Sequence, residues 1–325
     1  MYSAVAVWRR QWYAREPSRR ERLARPVISV GNLAVGGSGK TPIVGYIARL
    51  LVESGERPAI LTRGYGRRRG SEAVTVVSDG ISVLAGVDAA GDEPLMLARA
   101  LKNVAVVVSA SRSLAGRVAE ERLGATVHLL DDGFQHLKIE RTVDLLLVSE
   151  DDLRDRPLPA GRLREPLTAG AAADAALVPA GYPSAVERVA RAVGIPTSFQ
   201  MTRTLGAPRT VSRSPETVVI PSESRVFAVA GIARPERFFS DVSSAGWHLV
   251  GSMSFRDHHR FSAADVRRIA DAARAVGAAM ILTTEKDAVR LEMCDLEGLP
   301  IAAVPLVIGI EPADRFRQWL LGRLR

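Results

Sequence analysis

"NLAVGGSGKTP", residues 32–42, decides the fold. The apolar run Val27-Ile28-Ser29-Val30 leads into it, and Pro42-Ile43-Val44-Gly45-Tyr46-Ile47-Ala48 reads as a helix behind it. Strand, glycine-rich loop and helix in that order form the setting in which a chain cradles a nucleoside triphosphate. Gly36, Gly37 and Gly39, with Ser38 among them, leave the backbone free to wrap phosphate with its N–H groups. The helix N-terminus adds its dipole, Lys40 reaches the β- and γ-phosphates, and the Thr41 hydroxyl can ligate Mg²⁺. One departure from the usual loop pattern is Ala34, which stands where the first glycine normally lies.

Outward from the loop, short apolar runs alternate with helical patterns. Strands are expected at Val27–Gly31, Pro58–Thr62, Ala73–Ser78, Val104–Ser109, Thr126–Leu130, Val143–Val148 and Ala175–Val178. Helices are expected at Thr41–Glu53, Glu93–Leu101, Ser111–Leu123 and Ser184–Val193. The strand runs lack clean polar alternation, which points to a mostly parallel sheet covered on both faces. A polar stretch over 202–224 reads as a linker or connecting hairpin. The pattern then restarts with strands Arg225–Ala230, Trp247–Met253, Ala279–Thr284 and Ile301–Ile308, and helices Arg234–Ala245 and Ser262–Val276. The expected organisation is a P-loop α/β domain over 1–201, a connector over 202–224 and a smaller α/β domain over 225–325.

Composition narrows the class. A chain of 325 residues, 47% of them hydrophobic, can bury a substantial core and suits two domains. The single cysteine, Cys294, excludes an intramolecular disulfide and a cysteine-based zinc site, so a reducing compartment is the default. A net charge of +8 favours anionic partners without choosing among phosphates, lipid and nucleic acid. No uncharged run approaches the roughly 18 residues a bilayer crossing needs. The first 25 residues carry two of the four tryptophans and seven arginines besides, with Val5, Trp8 and Trp12 on one helical face. Such a segment either lies on an anionic membrane or packs its tryptophans on its own domain with the arginines solvated.

Further motifs carry acids, histidines and arginines. "TVHLLDDGFQH" ends an apolar strand in Asp131-Asp132-Gly133, where open α/β sheets bind ligands and where a metal site would find its carboxylate arm. Phe134 and His136 follow and can simply pack. "AGDEPLMLAR" sets Asp92 at a helix start, a position where aspartate also serves as a cap. "SFRDHHRFS" groups Asp257, His258 and His259 in a loop, and "LTRGYGRR" and "PAGRLREPL" add Arg63, Tyr65, Arg67, Arg162 and Arg164. These arginines can clamp anionic groups or form a basic surface.

In chain order, "VGNLAVGGSGKTP", "TRGYGRR", "GDEP", "LDDGFQH", "PAGRLREP", "FRDHHRFS" and "TTEKDA" resemble the tetraacyldisaccharide 4'-kinases, the lipid A kinases of Gram-negative bacteria. The match runs from residue 30 to 288, and seven motifs in family order are far more specific than the loop alone. The resemblance implies two α/β/α sandwich domains with the active site in the cleft between them. It implies transfer of the ATP γ-phosphate to the 4'-hydroxyl of a tetraacylated glucosamine disaccharide 1-phosphate, at the cytoplasmic face of the inner membrane. By the same resemblance Asp92 is the catalytic aspartate, paired with His258, and Asp131 and Asp132 are the Mg²⁺-side acids beside Thr41. Tyr65, Arg112, Gln135, Arg164 and Glu165 are then expected at the substrate. A peripheral membrane mode is expected, with no obligate protein partner.

Two rival classes remain: another P-loop enzyme, either a soluble metabolite kinase or a GTPase that loads metal into a partner, and a nucleic-acid-binding ATPase. A GTPase would carry an Asn-Lys-x-Asp sequence, and the nearest stretch, Thr284-Glu285-Lys286-Asp287, has its Lys and Asp adjacent. A nucleic-acid-dependent ATPase would show a basic stripe with stacking aromatics in the core, whereas aromatics beside arginine cluster only at the N-terminus.

Overall fold

The computed structural model describes residues 2–36, 39–65, 67, 74–180, 183–212, 215–296 and 298–325. Gly37 and Ser38 of the glycine loop, and Ala73 of an expected strand, lie outside them. In chain order the strands are β1 Val27–Asn32, β2 Pro58–Thr62, β3 Thr75–Asp79, β4 Ala105–Val108, β5 Val127–Asp131, β6 Val143–Leu147 and β7 Ala175–Pro179. They continue with β8 Ser198–Leu205, β9 Arg209–Thr210, β10 Arg225–Ala230, β11 His248–Ser254, β12 Met280–Thr284, β13 Ile301–Val304 and β14 Leu306–Glu311. The helices begin with α1 Tyr2–Arg15, α2 Lys40–Glu53, α3 Val87–Ala90, α4 Asp92–Ala100, α5 Arg112–Leu123 and α6 Glu150–Leu153. Then come α7 Pro183–Val193, α8 Pro235–Ser244, α9 Ala263–Ala275, α10 Glu285–Leu291 and α11 Ala313–Leu324.

Among the described residues these strands form two sheets. The larger runs β14-β8-β7-β6-β1-β5-β2-β4-β3, parallel except for the antiparallel edges β14 and β3. All six residues of β1 are buried, because β1 sits mid-sheet between β5 and β6 with helices over both faces. Ile28 and Val30 pack under α2, α4 and α11, while Val27 faces the side covered by α5. The smaller sheet, β11-β10-β12-β13-β9, is covered by α8 on one face and by α9 and α10 on the other. Both lobes are thus three-layered, and the mixed α/β class with mostly parallel sheets is the one the sequence implies.

The expected boundaries need correction. The run Ile301–Ile308 is not one strand: it breaks at Pro305 into β13, in the small sheet, and β14, in the large one. Proline has no N–H for a ladder, and the chain changes sheets there. β14 pairs with β8 over six residues, and α11 then places Phe316 against Phe199 of the large lobe. Residues 306–325 therefore return to the first lobe instead of completing the second. The stretch expected as a connector is also partly strand, since 202–205 end β8 and Arg209–Thr210 form β9 on β13. The two crossings run side by side, joined by Gly206 N donating to Pro305 O at 2.8 Å.

α1 carries its expected apolar face outward. Val5 and Trp8 are 60% and 62% exposed, and Trp12 is 38% exposed with the Arg19 guanidinium over its ring. The reading in which both tryptophans pack on their own domain is therefore wrong. Arg10 fastens α1, donating to both oxygens of Glu165 at 2.7 and 3.0 Å and lying 4.3 Å from the Phe134 ring centroid, and Arg9 adds a hydrogen bond to the Gln135 carbonyl at 3.2 Å.

Candidate active site

The glycine loop leaves the C-terminal end of β1 and enters α2. Gly39 is the N-cap of α2 with φ 85°, a left-handed conformation that glycine adopts without strain. Lys40 Nζ donates to Asn32 Oδ1 at 2.8 Å and lies 3.4 Å from Asp132 Oδ1. The β1–β5 register sets Val30 opposite Asp131, so the acidic pair emerges beside the loop. Thr41 Oγ1 donates to Asp131 Oδ2 at 3.2 Å, which brings the hydroxyl and one carboxylate together.

The two acids titrate in opposite directions. Burial, helped by the Glu93 and Asp132 charges, raises Asp131 to about 7 despite Lys40 and the Thr41 hydrogen bond. Burial also acts on Asp132, but Lys40 and Arg164 outweigh it and lower that carboxyl. Arg164 Nη1 donates to Asp132 Oδ2 at 2.8 Å and to Gln135 Oε1 at 3.2 Å, and Gln135 Nε2 donates to Asn32 O at 2.9 Å. Arg112 is buried at the start of α5, donating to the Ser109 and Ala110 carbonyls. Burial and the nearby Arg63 charge lower it to about 10.

Asp92 opens α4 directly after Gly91. There φ is 88°, and a Cβ would stand 2.6 Å from the Tyr65 carbonyl, so only glycine lets the helix start against that loop. From the other lobe, His258 Nδ1 meets Asp92 at 2.9 and 3.1 Å. A carboxylate can only accept, so Nδ1 carries the hydrogen. Arg290 Nε donates to Asp92 Oδ2 at 3.1 Å. Burial by itself would raise Asp92, but the His258 hydrogen bond and the Lys286, His258 and Arg290 charges hold it at about 2. The same hydrogen bond raises His258 against burial and the Lys286 charge.

One cleft of about 420 Å³ between the lobes collects most of these groups. It is lined by Gly36, Gly39, Lys40, Thr41, Tyr65, Arg112, Asp131, Asp132, Arg164 and His258, among others. Asp92, 1% exposed, lies behind His258 and does not line it. Of the adjacent histidines, His259 turns away, with Nε2 3.1 Å from Asp265 and its ring between Phe255 and Phe261. Gln135 stands behind Arg164 as a support. Glu165, expected at the substrate, is instead buried against Arg10 and is not part of the cleft wall. The GTPase alternative loses its candidate residue, since Asp287 is buried accepting from Gly231 N and Thr284 Oγ1.

The groups that surround the pair carry no local mark of that role in the sequence. Lys286 Nζ donates to Glu93 Oε1 at 2.8 Å and Asp257 Oδ1 at 3.0 Å, and lies 3.4 Å from His258 Nε2. Lys286 and Arg290 are four residues apart on α10 and so share a face, a spacing that was visible in "TTEKDAVRL" without saying what the face would meet.

A phosphate-cradling loop, a hydroxyl–carboxylate pair beside it and a carboxylate–imidazole pair across the cleft together define a P-loop phosphotransferase. The chain belongs to the tetraacyldisaccharide-1-P 4'-kinase family, whose model matches residues 1–325, and it is an ATP-dependent 4'-kinase of lipid A biosynthesis. The tetraacyldisaccharide 4'-kinase of Syntrophus aciditrophicus is 36% identical over 345 residues, covering 100% of this chain and 91% of that one. That of Geobacter metallireducens is 42% identical over 281 residues, covering 84% and 80%. The crystal structure of LpxK from Aquifex aeolicus in complex with ATP superposes with a TM-score of 0.79 at 31% identity, covering 100% of this chain and 96% of that chain.

Proposed function

We propose that the cleft binds ATP with its phosphates on the glycine loop and presents the 4'-hydroxyl of an acylated disaccharide 1-phosphate to the γ-phosphate. The observation that carries this reading is the meeting of Lys40, Thr41 and Asp131 with the Asp92–His258 pair around one cleft. Phosphoryl transfer has a loose transition state, so alignment and charge neutralisation are the main demands on the protein. Lys40 supplies positive charge at the β- and γ-phosphates. Arg164 and Arg112, on the cleft wall, face the same anionic groups.

Thr41 and Asp131 offer hard oxygen donors of the kind Mg²⁺ takes and would hold the ion here. A buried carboxyl raised to about 7 fits this role, since a nearby cation is what would hold it ionised. When bound, Mg²⁺ neutralises phosphate charge.

The proton of the attacking hydroxyl passes to the Asp92–His258 pair. A carboxylate held at about 2 is a weak base by itself, while the imidazole in front of it gains proton affinity from it. The two act as one unit, His258 towards the cleft and Asp92 behind it, with Arg290 and Lys286 positioning them from α10.

The outward face of α1, with Val5 and Trp8 exposed and the segment rich in arginine, suits a peripheral seat on an anionic membrane. The cytoplasmic face of the inner membrane is the proposed place. Among the described residues no helix is long and apolar enough to cross a membrane.

The direct test is incubation with γ-labelled ATP, Mg²⁺ and a detergent-dispersed acyl disaccharide 1-phosphate. Label should appear in the lipid, at the 4' position. Label released only as inorganic phosphate, with the acceptor unchanged, would overturn the proposal.

A further inference from the structure

On the cleft wall, three arginines converge. Arg203 comes from β8, and Arg234 and Arg237 from the start of α8. The sheet order sets β8 three strands from β1, about 14 Å at ~4.8 Å per strand, so the Arg203 backbone stands well away from the strand that feeds the glycine loop. All three side chains are half-buried. Asp241 pairs with Arg203, but Arg203 Nε is buried without a hydrogen-bond partner. Among the described residues neither Arg234 nor Arg237 forms an ion pair with a carboxylate.

This arrangement runs against ordinary helix electrostatics. The N-terminus of α8 carries the positive end of its dipole, where acidic side chains are favoured. Here Arg234 is the N-cap, with no side-chain cap bond, and Arg237 follows one turn later. Only Glu236 offsets them in that turn. Burial, then the charges of Arg234 and Arg203, lower Arg237, with Asp151 acting in the opposite sense. Three guanidiniums against the paired carboxylate of Asp241 and the exposed Glu236 leave the arginines of this half-buried cleft wall only partly neutralised. A phosphate monoester, at −1.5 to −2 near neutral pH, would balance them, as roughly expected for such groups. Planar guanidinium forks also match phosphate oxygens in geometry.

We infer that Arg203, Arg234 and Arg237 form a second phosphate-binding subsite, distinct from the glycine loop. The proposed reaction, on which the identity of its occupant rests, brings two phosphate-bearing molecules into the cleft. One is the nucleotide. The other is the acceptor, whose 1-phosphate is named in the family description.

The first arm of the test does not depend on turnover. Inorganic phosphate is titrated into full-length Lys40→Ala protein, in which the glycine loop is weakened, and the melting temperature is followed. Phosphate should still stabilise this protein, and adding Arg234→Gln and Arg237→Gln should remove the effect. An unchanged phosphate response in the triple variant overturns the subsite.

The second arm uses kinetics on otherwise native protein. Arg234→Gln/Arg237→Gln should raise one KM by about tenfold or more, the scale of lost charged hydrogen bonds, with kcat at saturation little changed. If the acceptor's phosphate sits there, its KM rises and discrimination against an acceptor lacking the 1-phosphate disappears. If the nucleotide sits there, ATP and ADP affinity fall instead. Arg237→Lys, which keeps the charge and loses the fork, should fall between. Unchanged constants for both substrates in a folded variant overturn the inference. A wild-type protein that fails to phosphorylate the lipid defeats the kinase reading alone, because the phosphate titration still judges the subsite.

Discussion

Asp92→Asn is the most informative single change, because it removes one charge from a site where four groups meet and alters the shape little. Asp92 is 1% exposed, so solvent does little to screen it. Holding its carboxyl at about 2 instead of 3.8 corresponds to roughly 2.4 kcal/mol at ~1.36 kcal/mol per pKa unit. The pKa is depressed in the fold, so this stability is present above 3.8 and is lost as pH falls through about 2. By pH 3, about 1 kcal/mol of it should already be gone relative to pH 6. His258 runs the other way. Its pKa is raised, so its contribution is complete below its ordinary 6.5 and fades as pH rises through the folded value. Asn at 92 removes the charge behind both effects. The difference in unfolding free energy between wild type and Asp92→Asn should therefore be largest between about pH 4 and 6.5 and fall on either side. Urea titrations from pH 3 to 8, followed by tryptophan fluorescence with matched m-values, measure it. A difference that stays flat across that range would refute the electrostatic account of the pair.

Three further outcomes follow from the same geometry. Lys40→Ala should weaken ATP·Mg²⁺ binding or abolish turnover while leaving the melting temperature close to wild type; a folded variant with unchanged activity removes the loop from the mechanism. Asp92→Ala and His258→Ala should each lower kcat by roughly two to four decades, with the double variant little worse than either. Additive losses would mean independent roles, and a larger effect at His259 would mean that the pair is misidentified. Val5→Ser/Trp8→Ser should reduce co-sedimentation with anionic vesicles and raise the KM for lipid but not for ATP. These positions are better than removal of residues 1–20, which would also strip Arg10 from buried Glu165. Wild-type vesicle binding that is insensitive to salt and anionic lipid would sink the membrane reading.

The parts of this molecule legible in its sequence are those written locally. The run from Val27 through the glycines to Lys40 names its own strand, loop and helix, and the strand ending in Asp131 declares itself by composition. Pairing between distant segments leaves no such mark. The apolar run Ile301–Ile308 has the pattern of one strand, and nothing in it says that its halves belong to different sheets. Nothing local to Glu165 says that Arg10, 155 residues earlier, holds both of its oxygens. The Asp92–His258 pair is the strongest case. Asp92 and Arg99 lie two turns apart on α4, and Lys286, Arg290 and Glu292 lie on or just after α10 in the other lobe. Asp92 meets Arg290, Glu93 meets Lys286, and Arg99 grips both oxygens of Glu292 at 2.6 and 2.7 Å. Each of these contacts joins α4 of one lobe to α10, or the residue just after it, in the other. Their match along one seam joins the docking of the lobes to the environment of Asp92 and His258, so that pair forms only once both lobes are in place.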